Sequence, residues 1–142
     1  MNNDIKVSYK LTVSQIVQLH SLYQQEWWTM DRSLDETRRV VEGSQIIIGL
    51  INNNLDLVGF ARVLTDYTFK ALIFDIIVRR DQRGNGFGNK LLSLIKNHQE
   101  LSAVKHFELY CRAKMFNFYR QHGFTTEIGE IQLMRLSNFA KS

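Results

Sequence analysis

The run Ile73-Phe74-Asp75-Ile76-Ile77-Val78-Arg79-Arg80-Asp81-Gln82-Arg83-Gly84-Asn85-Gly86-Phe87-Gly88-Asn89-Lys90-Leu91-Leu92 decides the reading of this chain. Ile73 to Val78 is an apolar stretch that stops at charged residues, and it reads as a strand. Gly84, Gly86 and Gly88 follow at every second position, and a helical pattern runs from about Phe87 to Leu101. Strand, Gly-rich turn and helix, in that order, suit an anion. Glycines let backbone N–H groups converge without a Cβ in the way. The helix N-terminus adds unpaired N–H groups and the positive end of its dipole. Arg83 sets a fixed cation at the mouth. The stretch reads as a pyrophosphate site.

Gly-rich turns also serve as plain connectors, and a lone Gly-x-Gly is a weak signal. A dinucleotide-binding fingerprint needs an early βαβ unit, and this loop lies past mid-chain. A P-loop needs Gly-Lys-Ser/Thr, which Gly88-Asn89-Lys90 does not supply. What remains is Arg-x-x-Gly-x-Gly, spelled by Arg83 to Gly88. A second signal is Phe118-Tyr119-Arg120-Gln121-His122-Gly123-Phe124, where a Tyr stands four residues before Gly-Phe.

Together the two motifs resemble the GNAT superfamily, the Gcn-five-related N-acetyltransferases. The resemblance implies an α/β fold, with a mixed, mostly antiparallel sheet of about six or seven strands and helices on both faces. It implies transfer of an acetyl group from acetyl-CoA to a primary amine by direct attack in a ternary complex. The alternative is a non-catalytic CoA-binding or regulatory module of the same fold. By the same resemblance, the backbone of Ile76, Ile77 and Val78 holds the pantetheine arm like an added strand. The pyrophosphate falls on Arg83, Gly84, Asn85, Gly86, Phe87, Gly88 and Asn89. Tyr119 protonates the departing thiolate. A Tyr packed under a sheet, with Gly123 as helix cap, is the structural reading of the same residues.

The attacking amine must lose a proton. The position where some relatives carry a Glu is Leu72, and Asp75 is the nearest carboxylate. An unpaired charge amid Ile73-Phe74 and Ile76-Ile77 is costly to bury. Asp75 therefore either orients the amine or a water chain, or pairs with a local Arg or backbone N–H. Many relatives carry Asn where Arg112 stands; Arg112 either reaches a phosphate instead or leaves that cofactor contact unmade. Cys111 is a core hydrophobe or an acyl acceptor. Trp27, Trp28 and Arg32 lie between the first two helices, the segment that shapes the acceptor side in this superfamily. They line an amine pocket or cap the core.

Length and composition agree. The 142 residues, 1–142, suit one domain, with 44% hydrophobic residues for a core. The net charge of +4 is scattered, with no nucleic-acid motif, so an anionic small ligand explains it as well as nucleic acid does. No apolar run approaches the ~18 residues of a membrane span, and the first residues lack a signal-peptide core. One cysteine excludes an internal disulfide, and the four histidines show no metal-ligand spacing. The expectation is a cytoplasmic protein that needs no metal, takes a small-molecule amine, avoids nucleic acid and membrane, and is compatible with a homodimer.

The remaining elements read in the order β-α-α-β-β-β-α-β-α-β. Ile5 to Leu11 alternates as a strand. Thr12 with Gln15, and Ser33 with Glu36, are capping boxes opening two helices. Val13, Ile16, Val17, His20 and Tyr23 fall at helical spacing in the first. Gln45–Ile51 and Leu57–Thr65 form a hairpin around Asn52-Asn53-Asn54, where Asn tolerates left-handed angles. Phe107 to Cys111 is a strand, Ala113 to His122 a helix, and Ile128 to Leu136 a final strand.

Overall fold

The computed structural model describes residues 4–139. The chain divides into two compact units, the first ending at Tyr110 and the second beginning at Cys111. In the first unit, β1 (Lys6–Ser8), α1 (Val13–Gln24), α2 (Leu34–Gly43), β2 (Ile46–Ile51), β3 (Leu57–Thr65), β4 (Lys70–Val78), α3 (Phe87–Lys96) and β5 (His106–Leu109) follow one another. The second holds a 3-10 turn, Ala113–Met115, and α4 (Phe116–Arg120).

Both capping boxes form. Thr12 Oγ1 accepts from the Gln15 N–H at 3.1 Å while Gln15 Oε1 accepts from the Thr12 N–H at 3.0 Å. Ser33 and Glu36 reciprocate in the same way at 3.0 and 2.9 Å. Each box satisfies two N–H groups that a helix start leaves without partners. The buried face of α1 is Gln15, Leu19, Leu22 and Tyr23. Val13 and Val17, which share the expected stripe, are exposed. Gln15 goes inward because its amide also donates to the Leu55 carbonyl.

The strands lie in chain order, β1-β2-β3-β4-β5. The first three pairings are antiparallel and β4–β5 is parallel, with α3 as the crossover. The sheet is mixed and mostly antiparallel, as expected. Leu19, Leu22 and Tyr23 of α1 pack on Ile47, Ile51, Leu57, Phe60 and Ile77. Strand side chains alternate in direction, so the wholly buried Ile48, Ala61, Val63 and Ala71 turn to the opposite face. There α3 packs on β3 and β4, burying Leu91, Leu92 and Ile95.

Three expectations are corrected. The sheet has five strands among the described residues, not six or seven. Ile128 to Leu136 forms no strand; Ile131, Leu133, Met134 and Leu136 are all exposed. Alternation specifies a strand only where a partner ladder satisfies its backbone. The hairpin turn stands, but its left-handed residue is Leu55 at φ 66°, not an Asn. Asn52 contributes through its side chain instead, its Oδ1 accepting from the N–H groups of Asn54 and Asp56 at 2.9 Å each. No helix of the described residues is long and apolar enough to cross a membrane.

Candidate active site

Asp75 sits at a β-bulge. The β3–β4 register runs Phe60↔Ile77 and then Arg62↔Phe74, so β4 carries one extra residue. Asp75 takes φ 59°, a left-handed angle that Asp tolerates better than most residues. The bulge turns its carboxylate toward α1, where four hydrogen bonds meet it. Tyr23 donates its hydroxyl to Oδ2 at 2.8 Å. Arg32 donates NH1 to Oδ2 at 2.5 Å and NH2 to Oδ1 at 3.2 Å, a bidentate fork. Arg62 donates Nε to Oδ2 at 2.7 Å. Burial alone would push this carboxyl up; Arg32 and Arg62 outweigh it and hold it below the ordinary range. Burial, then the Asp75 charge, pushes the Tyr23 phenol up, so it keeps its proton. Burial acts to lower Arg32, and Asp75 reverses that. Of the two readings left open for Asp75, pairing with arginine is the observed geometry.

The same bulge precedes an opening in the sheet. β5 pairs with β4 from Lys70↔His106 to Ile73↔Leu109 and no further, while β4 continues to Val78. The Arg79 N–H donates to the Val58 carbonyl on the β3 side. Backbone groups alternate along a strand, so those of Ile76 and Val78 face the opening and those of Ile77 face β3. The Val78 carbonyl accepts from Arg83 Nε at 3.1 Å.

The glycine loop leads from this edge into α3. Gly84 and Gly86 take φ 86° and 79°, angles that side chains rarely adopt, and a Cβ at either would meet no atom within 4 Å. Gly86 is the N-cap of α3 and can offer no side chain, so α3 starts without the cap that α1 and α2 possess. Phe87, Gly88 and Asn89 form its first turn, and Asn85 braces the loop through Nδ2 to the Gln82 carbonyl at 3.1 Å. The expected helix to Leu101 breaks after Lys96 and resumes as a 3-10 turn, Gln99–Leu101.

The connection between α1 and α2 is held by its own hydrogen bonds. The buried Thr29 donates to the Tyr23 carbonyl at 2.8 Å, and the Arg32 carbonyl meets Gln24 Nε2 at 2.8 Å and His20 Nε2 at 3.1 Å. These contacts aim Arg32 at Asp75. Trp27 and Trp28 are 64% and 40% exposed, which removes them from the core and leaves them as surface around this corner. Glu26 ties the connection to the glycine loop, its Oε2 lying 2.6 Å from Arg83 NH2 and 3.9 Å from Arg80 Nε.

In the second unit, Gly123 at φ 93° stops α4, with the Phe124 N–H donating to the Tyr119 carbonyl at 3.2 Å. The rings of Phe118 and Phe124 stand edge-on to Tyr119 at 5.0 and 6.0 Å. Burial, followed by Cys111, pushes the Tyr119 phenol up to about 12. Burial also pushes the Cys111 thiol up, which disfavours a thiolate nucleophile.

Arg32 and Asp75 are thus brought into direct contact, and Arg83 folds back onto the strand it follows. Sequence reasoning missed Tyr23, Arg62 and Glu26. Arg62 left a signal, a lone charge inside the apolar run Leu57–Thr65. Glu26 left none. No group of His, Cys, Asp and Glu among the described residues could hold a metal ion.

The acetyltransferase (GNAT) domain profile matches residues 43–126, which include the bulge, the glycine loop and Tyr119. The uncharacterized N-acetyltransferase ycf52 of Gracilaria tenuistipitata var. liui is 28% identical over 127 residues, 85% of this chain and 69% of its own length. Its namesake in Porphyra purpurea is 30% identical over 112 residues, 77% of this chain and 64% of its own. A crystal structure from Xanthomonas campestris pv. campestris, described as belonging to the GNAT family, superposes with a TM-score of 0.82 at 25% identity, covering 97% of this chain and 96% of that one.

Proposed function

Because the chain belongs to the GNAT acetyltransferase family, whose domain profile spans more than half of it, we propose that it transfers an acetyl group from acetyl-CoA to the primary amine of a small molecule, by direct attack. One observation carries the reading. An unpaired stretch of β4 runs straight into a glycine loop that opens an uncapped helix. A strand-like amide arm followed by a pyrophosphate suits that sequence of donors and acceptors.

In this reading Ile76 and Val78 hold the pantetheine amides as an added strand would be held. The loop from Gly84 to Asn89 offers N–H groups to the pyrophosphate, with the α3 dipole behind them. The open space at the Cβ positions of Gly84 and Gly86 supports that fit. Arg83 leaves the Val78 carbonyl and turns its guanidinium to the phosphates. Backbone N–H groups beside the bulge stabilise negative charge on the thioester oxygen.

Asp75 stays ionised and orients Arg32. Holding its carboxylate with three donor residues leaves it a poor proton acceptor, so bulk water or a water chain takes the proton of the amine. Tyr119 keeps its proton throughout the neutral range. Its O–H is assigned to the departing thiolate on the family resemblance. A phenol near 12 does not transfer its proton fully to a thiolate whose acid is near ~8.5, so Tyr119 acts by hydrogen-bond donation. Trp27 and Trp28 border the amine.

Release of free CoA on mixing acetyl-CoA with a panel of aromatic, aliphatic and amino-acid amines tests the reading. Amine-dependent release is expected. Tight acetyl-CoA binding with no release from any amine would favour the non-catalytic module.

A further inference from the structure

The polar cluster at the bulge does not balance its charge. Arg32 and Arg62 both pair with Asp75, which among the described residues is the one carboxylate that bridges to either. Tyr23 in the same cluster is neutral. Glu36, which caps α2 through the Ser33 N–H, is within electrostatic reach of Arg32 but is exposed and bridges to neither guanidinium, and Glu26 pairs with Arg83. Among the groups in direct contact, two guanidiniums face one carboxylate, so the cluster itself carries one excess positive charge.

That charge reaches the surface. The Asp75 side chain is 3% exposed, against 26% for Arg32 and 12% for Arg62. The anion is sealed beneath two cations that show outward. Each guanidinium also lies over an aromatic ring, Arg32 over Tyr23 at 4.6 Å and Arg62 over Phe74 at 5.0 Å, which fixes its plane. Donors remain. A guanidinium has five N–H groups; Arg62 uses Nε on Asp75 and has only a 3.5 Å contact from NH1 to Ser44 Oγ besides. A rigid, partly exposed fork of this kind matches a planar carboxylate. It also repels an ammonium and so favours the neutral amine that attacks.

We propose that the acceptor is an amine bearing a carboxylate, and that Arg32 and Arg62, braced on Asp75 at the β4 bulge, hold that carboxylate. The inference rests on the acetyl-transfer reading above and names its substrate class. Plain diamines and polyamines are disfavoured by the same charge.

Matched pairs that differ only in the carboxylate test this: tryptophan against tryptamine, and ornithine against putrescine. Turnover is measured for each, and the N-acetylated forms are titrated calorimetrically onto the CoA-loaded protein. The carboxylate-bearing member of at least one pair should bind about tenfold tighter or more, the scale of one charge-assisted hydrogen bond. Arg32→Lys and Arg62→Lys, each checked by melting, keep the charge and lose the fork; either should narrow the preference while the KM for acetyl-CoA stays unchanged. No preference in any pair, including no binding by either member, would overturn the proposal, as would a preference untouched in both variants. A carboxylate preference in binding with no turnover of any amine supports the site and counts against acetyl transfer. Equal turnover with equal binding does the reverse.

Discussion

Glu26 and Arg83 form an ion pair, Oε2 to NH2 at 2.6 Å, that joins the α1–α2 connection to the glycine loop. The same guanidinium is the one assigned to the cofactor phosphates. Glu26 therefore competes with acetyl-CoA for Arg83. Glu26→Gln should tighten acetyl-CoA several-fold at low salt, with little change in melting temperature, because Arg83 is about half exposed and such pairs add little stability. Weaker binding in the variant would mean that Glu26 holds Arg83 in its binding position instead.

Asp75 predicts a stability effect with a defined sign. Its carboxyl is held below its ordinary range in the folded protein. The stability it contributes is present above the unfolded value near ~3.9 and is lost as pH falls through the folded one. Asp75→Asn leaves Arg32 and Arg62 without their anion and should cost about 3 kcal/mol at pH 7 in urea denaturation, the low end for breaking a buried pair because Arg32 is partly exposed. The difference from wild type should shrink below pH 4. A loss that stays constant with pH would assign the effect to packing.

Trp27 and Trp28 are exposed, so replacing both by alanine should move stability by no more than about 1 kcal/mol. If they border the acceptor, the KM for the accepted amine rises while that for acetyl-CoA does not. Unaltered constants for every amine in the panel would remove them from the acceptor site.

The Tyr119 phenol near 12 stays protonated through the working range. No loss of activity from its ionisation is expected up to pH 10. Tyr119→Phe removes one donor, and kcat should fall by roughly 10²–10³ with the KM for acetyl-CoA unchanged. Wild-type turnover in the variant would leave Tyr119 as a packing residue.

Local chemistry was legible in advance, and long-range partnership was not. Thr12 with Gln15 and Ser33 with Glu36 announce helix starts because the caps lie three residues apart. Gly84 and Gly86 announce a backbone with no Cβ in the way, again a property of the residues themselves. Asp75 could be flagged as a charge in a strand, but its partners lie 52, 43 and 13 residues away and meet it only through the fold. Its own left-handed angle comes from a register shift between strands, which no single strand encodes. Ile128 to Leu136 shows the opposite failure. Its alternation is strand-like, yet a strand exists only with a partner.

The central claim is that the glycine loop and the adjoining β4 edge hold acetyl-CoA. Calorimetric titration of acetyl-CoA into wild type and Gly86→Val tests it most directly. A β-branched side chain at φ 79° strains the loop by roughly 1–2 kcal/mol, which a melting curve would register without loss of the fold. The account predicts saturable one-to-one binding to wild type and its loss in Gly86→Val. Binding that survives the substitution at full strength, or a wild-type protein that takes up no acetyl-CoA, would contradict it.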